Sequence, residues 1–437
     1  VTRTRIARSS LMLGSTAAAL TLLAGCVSGS GSGSGGESPA PSSLAADQKV
    51  SLTFSTYAFQ DATVKATEDI VASWNAANPN IQVTVQKVDP NSVHDKLVTQ
   101  FAGKQAPDII HDEAADIAGF SRQGNLADLS SLIPADLKQQ VPQSVWDSVT
   151  YGGKITAVPT IAQVYTVFAN TDLLKAAGVA VPTADAPWTW DAMHANANKL
   201  TKGGTSGFAW GLKSPTAGIM STSLGFDGTF VTGDEAKPKI SITDKELAVP
   251  SLLRKMLQDK SMAADSTSLS GTDTLKGFYA GKYAMVMAGN YVATQIQEEA
   301  PDGFNWTMLP LLKGTNQHQA SNPQTLSVAR QSKYPAQAAQ FIAYYMQAKN
   351  LAAIAQGDSL IPVTKPAADL VAKNVGDANG WPAMLAAADQ LVDAPWNKAD
   401  QFPDWKENYA TPAYQKFLAG EIDEAGLTKE LTDGWKS

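Results

Sequence analysis

Two short stretches of this chain carry recognition chemistry. Tyr57-Ala58-Phe59-Gln60 follows an alternating apolar run, and His111-Asp112-Glu113 closes another. Carboxylates and amides exchange hydrogen bonds with hydroxyl groups. Aromatic rings cover an apolar C–H face with large area and little rotamer loss. Together they suit a sugar. They also suit a polyamine, because acids and rings form a cage for a cation. Each residue type has a structural use as well: Tyr57 and Phe59 can staple a helix, and two acids favour a helix's first turn. A metal is not expected, since adjacent strand residues point to opposite faces and no second His lies at ligand spacing. No G-x-S-x-G is present, and His94, His111, His194 and His318 fall in no catalytic motif. A secreted glycoside hydrolase would set two carboxylates across a cleft, a role the sequence does not give Asp112 and Glu113. Gly31, Gly33 and Gly36 match G-x-G-x-x-G without a strand before or a helix after, so no nucleotide cofactor is expected.

Periodicity gives the elements that must carry these loops. Residues 50–56 (VSLTFST) and 81–88 (IQVTVQKV) alternate as strands. Between them Asp61 is placed to cap a helix to about Ala77, with Val64, Val71 and Trp74 on one face and Asn78-Pro79 as its stop. Ser92 to Gly103 reads as a helix that aligns Val93, Leu97 and Phe101, Pro107-Asp108-Ile109-Ile110 as a short buried strand, and the stretch to Gly124 as a further helix. Thr189-Trp190-Asp191 caps a later helix, and Ala336 to Met346 is amphipathic. Strands alternating with helices predict an α/β fold with a largely parallel sheet. Ligands meet such sheets at the loops after the strands.

The first residues carry Arg3, Arg5 and Arg8, then an apolar run from Leu11 to Leu23 ending Leu23-Ala24-Gly25-Cys26. A basic start, a short apolar stretch and small residues make a secretory signal peptide, residues 1–25. The run is short for a membrane span, and no later run of that kind exists. Leu-Ala-Gly-Cys resembles the lipobox of bacterial lipoproteins, which implies cleavage before Cys26 and a diacylglyceryl thioether on its sulfur. Residues 26–47, rich in Gly, Ser and Pro, read as a flexible tether with a reach of roughly 25 Å. Removing the three arginines takes the formal charge from −7 to −10. No basic stripe marks a nucleic-acid partner. With Cys26 the sole cysteine, the exported body has no disulfide and is held by packing.

Residues 48–437 suit two lobes rather than one core. Their motifs, Pro107-Asp108-Ile109-Ile110, Gly153-Lys154-Ile155-Thr156-Ala157-Val158-Pro159, Ala169-Asn170-Thr171-Asp172-Leu173-Leu174, Thr189-Trp190-Asp191 and Phe278-Tyr279-Ala280-Gly281-Lys282-Tyr283-Ala284-Met285, stand in an order that resembles the family 1 extracellular solute-binding proteins, the receptors of carbohydrate ABC importers. The resemblance implies a two-lobed α/β periplasmic-binding-protein fold with three interlobe crossings, near Ile161, Leu309 and Gln347, and a ligand cleft between lobes. The N-lobe would be 48–160 plus 311–346, the C-lobe 161–310 plus 347–437. It implies ligand contacts from Tyr57, Phe59, Gln60, Asp112 and Glu113 in the N-lobe, and from Gln163, where the maltodextrin receptor has a carboxylate. Tyr165 points the same way as Gln163 on a strand. Asn290 and Tyr291 stand where similar receptors have a Gly-x-Trp turn, Asn322 lies in the returning loop, and Trp396 and Trp405 lie where the family supplies aromatic platforms. No Arg or Lys falls in these loops, which favours a neutral mono- or oligosaccharide over an anion that would want an Arg fork. The implied protein is a monomer, not an enzyme, tied by its lipid to the outer face of the cell membrane and delivering sugar to an ABC permease.

Overall fold

The computed structural model describes residues 48–89, 92–233 and 237–435. The signal peptide, the tether and Cys26 lie outside the described residues.

Strand β1 (Val50–Thr56) alternates as its sequence predicts, with Val50, Leu52 and Phe54 turned into the core. Helix α1 (Asp61–Ala77) follows. Gln60, not Asp61, takes the cap position, and the buried face is Thr63, Thr67, Ile70, Val71 and Trp74 rather than one through Val64. Strand β2 (Ile81–Lys87), helix α2 (Val93–Ala102), strand β3 (Ile109–Glu113), helix α3 (Ala114–Arg122) and strand β4 (Ala157–Pro159) complete the early part of the first lobe. The chain then leaves this sheet. Strand β5 (Tyr165–Asn170), helix α4 (Trp190–Leu200), strand β6 (Ala209–Trp210), helix α5 (Thr216–Ser223), strand β7 (Met285–Gly289) and strand β8 (Trp306–Met308) build the second lobe. Thr189 caps α4 by accepting the Ala192 N–H at 3.0 Å, the capping its sequence predicts. The chain returns as strand β9 (Gln324–Val328) and helix α6 (Pro335–Tyr345).

Both sheets are mixed rather than largely parallel. The first runs β2-β1-β3-β9-β4, with β1 parallel to β2 and β3. The returning β9 inserts antiparallel beside β3, its Gln324 opposite Glu113 and Thr325 opposite Asp112. The second runs β8-β5-β7-β6, and β5 is antiparallel to both of its neighbours.

Helix α7 (Ala348–Asp358) corrects the expected lobe boundary. A crossing at Gln347 would put it in the second lobe, but it packs on α1 of the first. Gly357 lets the two helices touch, since a Cβ there would lie 2.8 Å from the Thr63 backbone N. Thr63 Oγ1 donates to Asp358 at 2.5 Å across that contact. Helix α8 (Lys365–Val375) covers α7, and residues 378–386 reach β8.

Where the chain passes between sheets, it loses ladder partners and side chains replace them. Ile161–Ala162 pairs with Ile361–Pro362, and Gln319–Ala320 with Leu391–Val392. The Val164 N–H donates to Asn290 Oδ1 at 3.1 Å, and Asn290 Nδ2 donates to the Ser359 carbonyl at 2.8 Å. Gln319 closes a two-way clasp on Tyr165, accepting its N–H and donating to its carbonyl, each at 2.8 Å. Buried backbone groups without partners are costly. Asn290→Ala strands two of them, so its stability to urea is expected to fall by about 2–4 kcal/mol, read from the unfolding midpoint and slope.

Candidate functional site

The first-lobe wall is built where β1 and β3 end. His111 is buried and held by two hydrogen bonds of 2.8 Å. Its Nε2–H donates to Gln324 Oε1, and its Nδ1 accepts from the Thr56 hydroxyl. Burial lowers its pKa to about 4, which keeps the ring neutral. Tyr57 stacks on this ring at 4.3 Å, so His111 is a platform for Tyr57. Asp112 is 1% exposed. Its Oδ1 accepts the Glu113 N–H at 2.9 Å, while its Oδ2 has no partner among the described residues. The Tyr57 hydroxyl and Gln60 Nε2 are likewise buried without partners. Burial first, then the neighbouring Asp116, raises the Asp112 carboxyl well above its usual range. The same causes lift Glu113 to about 7, against a 2.7 Å hydrogen bond from Asn322 Nδ2.

The second-lobe wall is an aromatic pocket of about 180 Å³ between Gln163, Tyr165, Trp210, Pro215, Ser270 and Tyr291. Tyr165 and Trp210 face each other with ring centres 6.1 Å apart. Gly289 pairs with Tyr165 across the ladder. A Cβ on Gly289 would come within 2.6 Å of the Tyr291 ring and 2.8 Å of Gln163 Nε2, so only glycine lets both side chains lie over this strand end.

The Glu113 charge is felt on both walls. Burial raises the phenols of Tyr57, Tyr165 and Tyr291, and the Glu113 charge raises all three further. Gln163, Tyr165 and Tyr291 share the second-lobe pocket, and Tyr57, Asp112 and Glu113 share the first-lobe strand ends. Other expected contacts are used differently. Asn290 is fully buried with its amide spent on the crossing. Asn322 is committed to Glu113 and to the Ala115 N–H, so it positions the acid. Gln60 takes the helix-cap position, and Phe59 is 56% exposed. Trp396 and Trp405 are corrected: both are core. Trp396 packs edge-on to Phe230, and Trp405 Nε1 donates to the Leu431 carbonyl at 2.9 Å. Trp210 and Gln319 are additions that the sequence reading lacks. Lys213, outside the loops expected to bear ligand contacts, lines the second-lobe pocket from an exposed position. Among the described residues no cluster of three His, Cys, Asp or Glu has the placement for a metal ion.

Residues 56–350 match the family described as bacterial extracellular solute-binding protein. The Streptomyces antibioticus lipoprotein of the oleD 5′ region is 36% identical over 405 residues, 92% of this chain and 86% of that one. Two solved structures share the fold. The GacH receptor of Streptomyces glaucescens, described unliganded and in complex with acarbose, gives a TM-score of 0.73 at 21% identity over 89% of this chain and 97% of its own. The sugar-binding protein MalE of Xanthomonas citri gives 0.77 at 17% identity over 88% and 96%.

The lifted Glu113 makes a prediction with a definite sign. An acid that protonates more readily when folded weakens the fold as pH rises from its ordinary value of 4.5 to about 7, and the loss persists above that. Glu113→Gln removes this cost. Its melting temperature is expected to match the parent near pH 4 and to exceed it by a few degrees at about pH 8, by calorimetry across that range. A constant offset would place the effect elsewhere.

Proposed function

Because the chain belongs to the bacterial extracellular solute-binding proteins, we propose that it is the receptor of an ABC importer, closing on a mono- or oligosaccharide and presenting the closed form to a membrane permease. The observation that carries this reading is an acid-and-phenol wall on one lobe and an amide-and-aromatic wall on the other, with the Glu113 charge felt by the phenols of both. Only a ligand that touches both lobes can shift an open–closed balance. The acarbose complex of the GacH receptor and the description of the Xanthomonas MalE as a sugar-binding protein support the choice of ligand class. Asp112 and Glu113 oppose an anion, and Lys213 at the rim offers no bidentate fork. No bond need be made or broken, so we read the protein as a binding protein rather than an enzyme. We place it as a monomer on the outer face of the cell membrane, held through a lipid on Cys26.

A polyamine is the second reading, favoured by the unpartnered Asp112 Oδ2. A thermal-shift screen of sugars and polyamines separates the two. A sugar at a hundred times its dissociation constant adds about 2.7 kcal/mol to stability. Its affinity is expected to ignore salt, whereas a cation's would fall with it. A shift by spermidine and by no sugar would overturn the saccharide reading. Tyr291→Ala is expected to weaken the best sugar by about 1–3 kcal/mol, on the value for stacked bases; unchanged affinity would remove Tyr291 from the site. Cys26→Ser should move the protein from the membrane pellet to the soluble fraction on blotting, and retention in the pellet would count against the anchor.

A further inference from the structure

Helix α5 runs beside the aromatic pocket, and its Gly218 forms part of the pocket wall. Glycine weakens a helix interior. The backbone at Gly218 is ordinary helix, so no turn or left-handed conformation asks for the residue. What asks for it is a ring. A Cβ on Gly218 would lie 2.7 Å from Trp210 Cζ2 and 3.3 Å from Tyr165 Cε1. In a close-packed interior, contacts that short force one side to move.

The helix has little room to retreat. Thr216 Oγ1 and Thr411 Oγ1 share a hydrogen bond of 2.7 Å, and Ser221 Oγ accepts the Ala320 N–H at 3.1 Å, so α5 is held near both ends. The ring has little room either. Trp210 is buried, and its N–H donates to Ser266 Oγ at 3.3 Å. Its indole packs on Trp190 with ring centres 6.5 Å apart, and Trp190 is itself buried against Phe226. Tyr165 stands against it at 6.1 Å. The direction left open is the pocket, which Trp210 and Gly218 both line. That pocket holds about 180 Å³, where a drug-sized ligand commonly occupies about 300–1,000 Å³. In so small a space the position of one ring decides what enters.

We propose that Gly218 is a specificity-determining residue of the sugar site: its missing side chain leaves the Trp210 ring seated against α5, and that seat sets the depth to which a sugar ring enters. The inference rests on the saccharide reading above and adds the residue that limits the size of what is accepted. A side chain at this position drives the indole into the pocket, so the residue acts through Trp210.

Gly218→Ala, Trp210→Phe and the double variant form the test. Phenylalanine lacks the second ring of the indole, and with it the Cζ2 atom that the alanine methyl would strike. Glucose, galactose, mannose, xylose, maltose and acarbose are titrated calorimetrically against the full protein and each variant. Gly218→Ala is expected to weaken the best of these ligands at least about tenfold, the scale on which one methylene group is felt in a fitted pocket. Trp210→Phe also weakens it, but the alanine added on that background is expected to cost less than about twofold, because neighbours that act through one contact are not additive. Circular dichroism and melting establish that each variant is folded. Should Gly218→Ala alone not fold, the double variant decides: binding as Trp210→Phe does supports the contact, and a double variant that is still unfolded overturns it. Unchanged affinity in a folded Gly218→Ala overturns the proposal and leaves the sugar receptor standing. An equal loss with and without the indole does the same, since the glycine would then act by another route. Failure of all these ligands to bind the parent protein overturns the saccharide reading, and this proposal with it.

Discussion

The aromatic pocket of the second lobe depends on how the chain satisfies its backbone hydrogen bonds while passing between sheets. At Val164 and Tyr165 the main chain has left its first sheet and has β7 along one edge only, with Gly289 opposite Tyr165 and the Asn290 N–H bonding the Val164 carbonyl at 2.9 Å, so the other edge needs partners. Asn290 and Gln319 supply the missing donor and acceptor groups. Each comes from a distant segment, Asn290 from the end of β7 and Gln319 from the second crossing. The clasps therefore fix Gln163 and Tyr165 relative to Tyr291, and they tie the aromatic pocket to the segments that any lobe movement must bend.

The first lobe solves a different problem. Its acids sit where β3 ends, and β9 seals the strand's other edge. Burial raises Asp112 and Glu113, and Asn322 and the Glu113 amide satisfy only part of their bonding capacity. The Tyr57 hydroxyl and Asp112 Oδ2 remain without partners beside His111, whose own nitrogens are both engaged. Unmet polar groups in a buried place cost stability. A hydroxyl that bonded them would recover that cost, so the wall suits groups that both donate and accept.

The sequence shows some of this directly and hides the rest for physical reasons. Alternation in residues 50–56, the Thr189 cap and the Val93–Leu97 face are local signals, and local structure follows them. The loops after β1 and β3 stand out as candidates in the sequence because strand ends in α/β sheets are where ligands meet protein. Trp210 was hidden, since a two-residue strand leaves no periodic trace and its pocket forms only when β7 and α5 assemble around it. Asn290 and Tyr291 look alike in sequence as polar neighbours after a strand. Only the third dimension shows that one is clasped by the crossing and the other borders the pocket. Trp396 and Trp405 fail for the converse reason: aromatic residues near a chain end signal large area, and that area serves a core as readily as a ligand. Helix α7 went to the wrong lobe because its partner α1 lies far away in sequence, and the Gly357–Thr63 contact that joins them has no local signature.

The balance between lobes limits what may hold them together without ligand. Arg122 reaches from α3 to Asp400 and the Lys398 carbonyl, a direct tie between the first lobe and the segment packed on the second. Asp400's side chain is 77% exposed, so water screens the ion pair and its worth is about 0–1 kcal/mol. Moving a two-state balance from nearly all open to nearly all closed takes about 5.5 kcal/mol of differential binding. A buried, strong tie at this place would close the protein whether or not a ligand were present, and the closed shape would then carry no information. A tie this exposed leaves the rings of Tyr165, Trp210 and Tyr291 and the carboxyls of Asp112 and Glu113 as the groups through which, on the function proposed above, a ligand would set that balance.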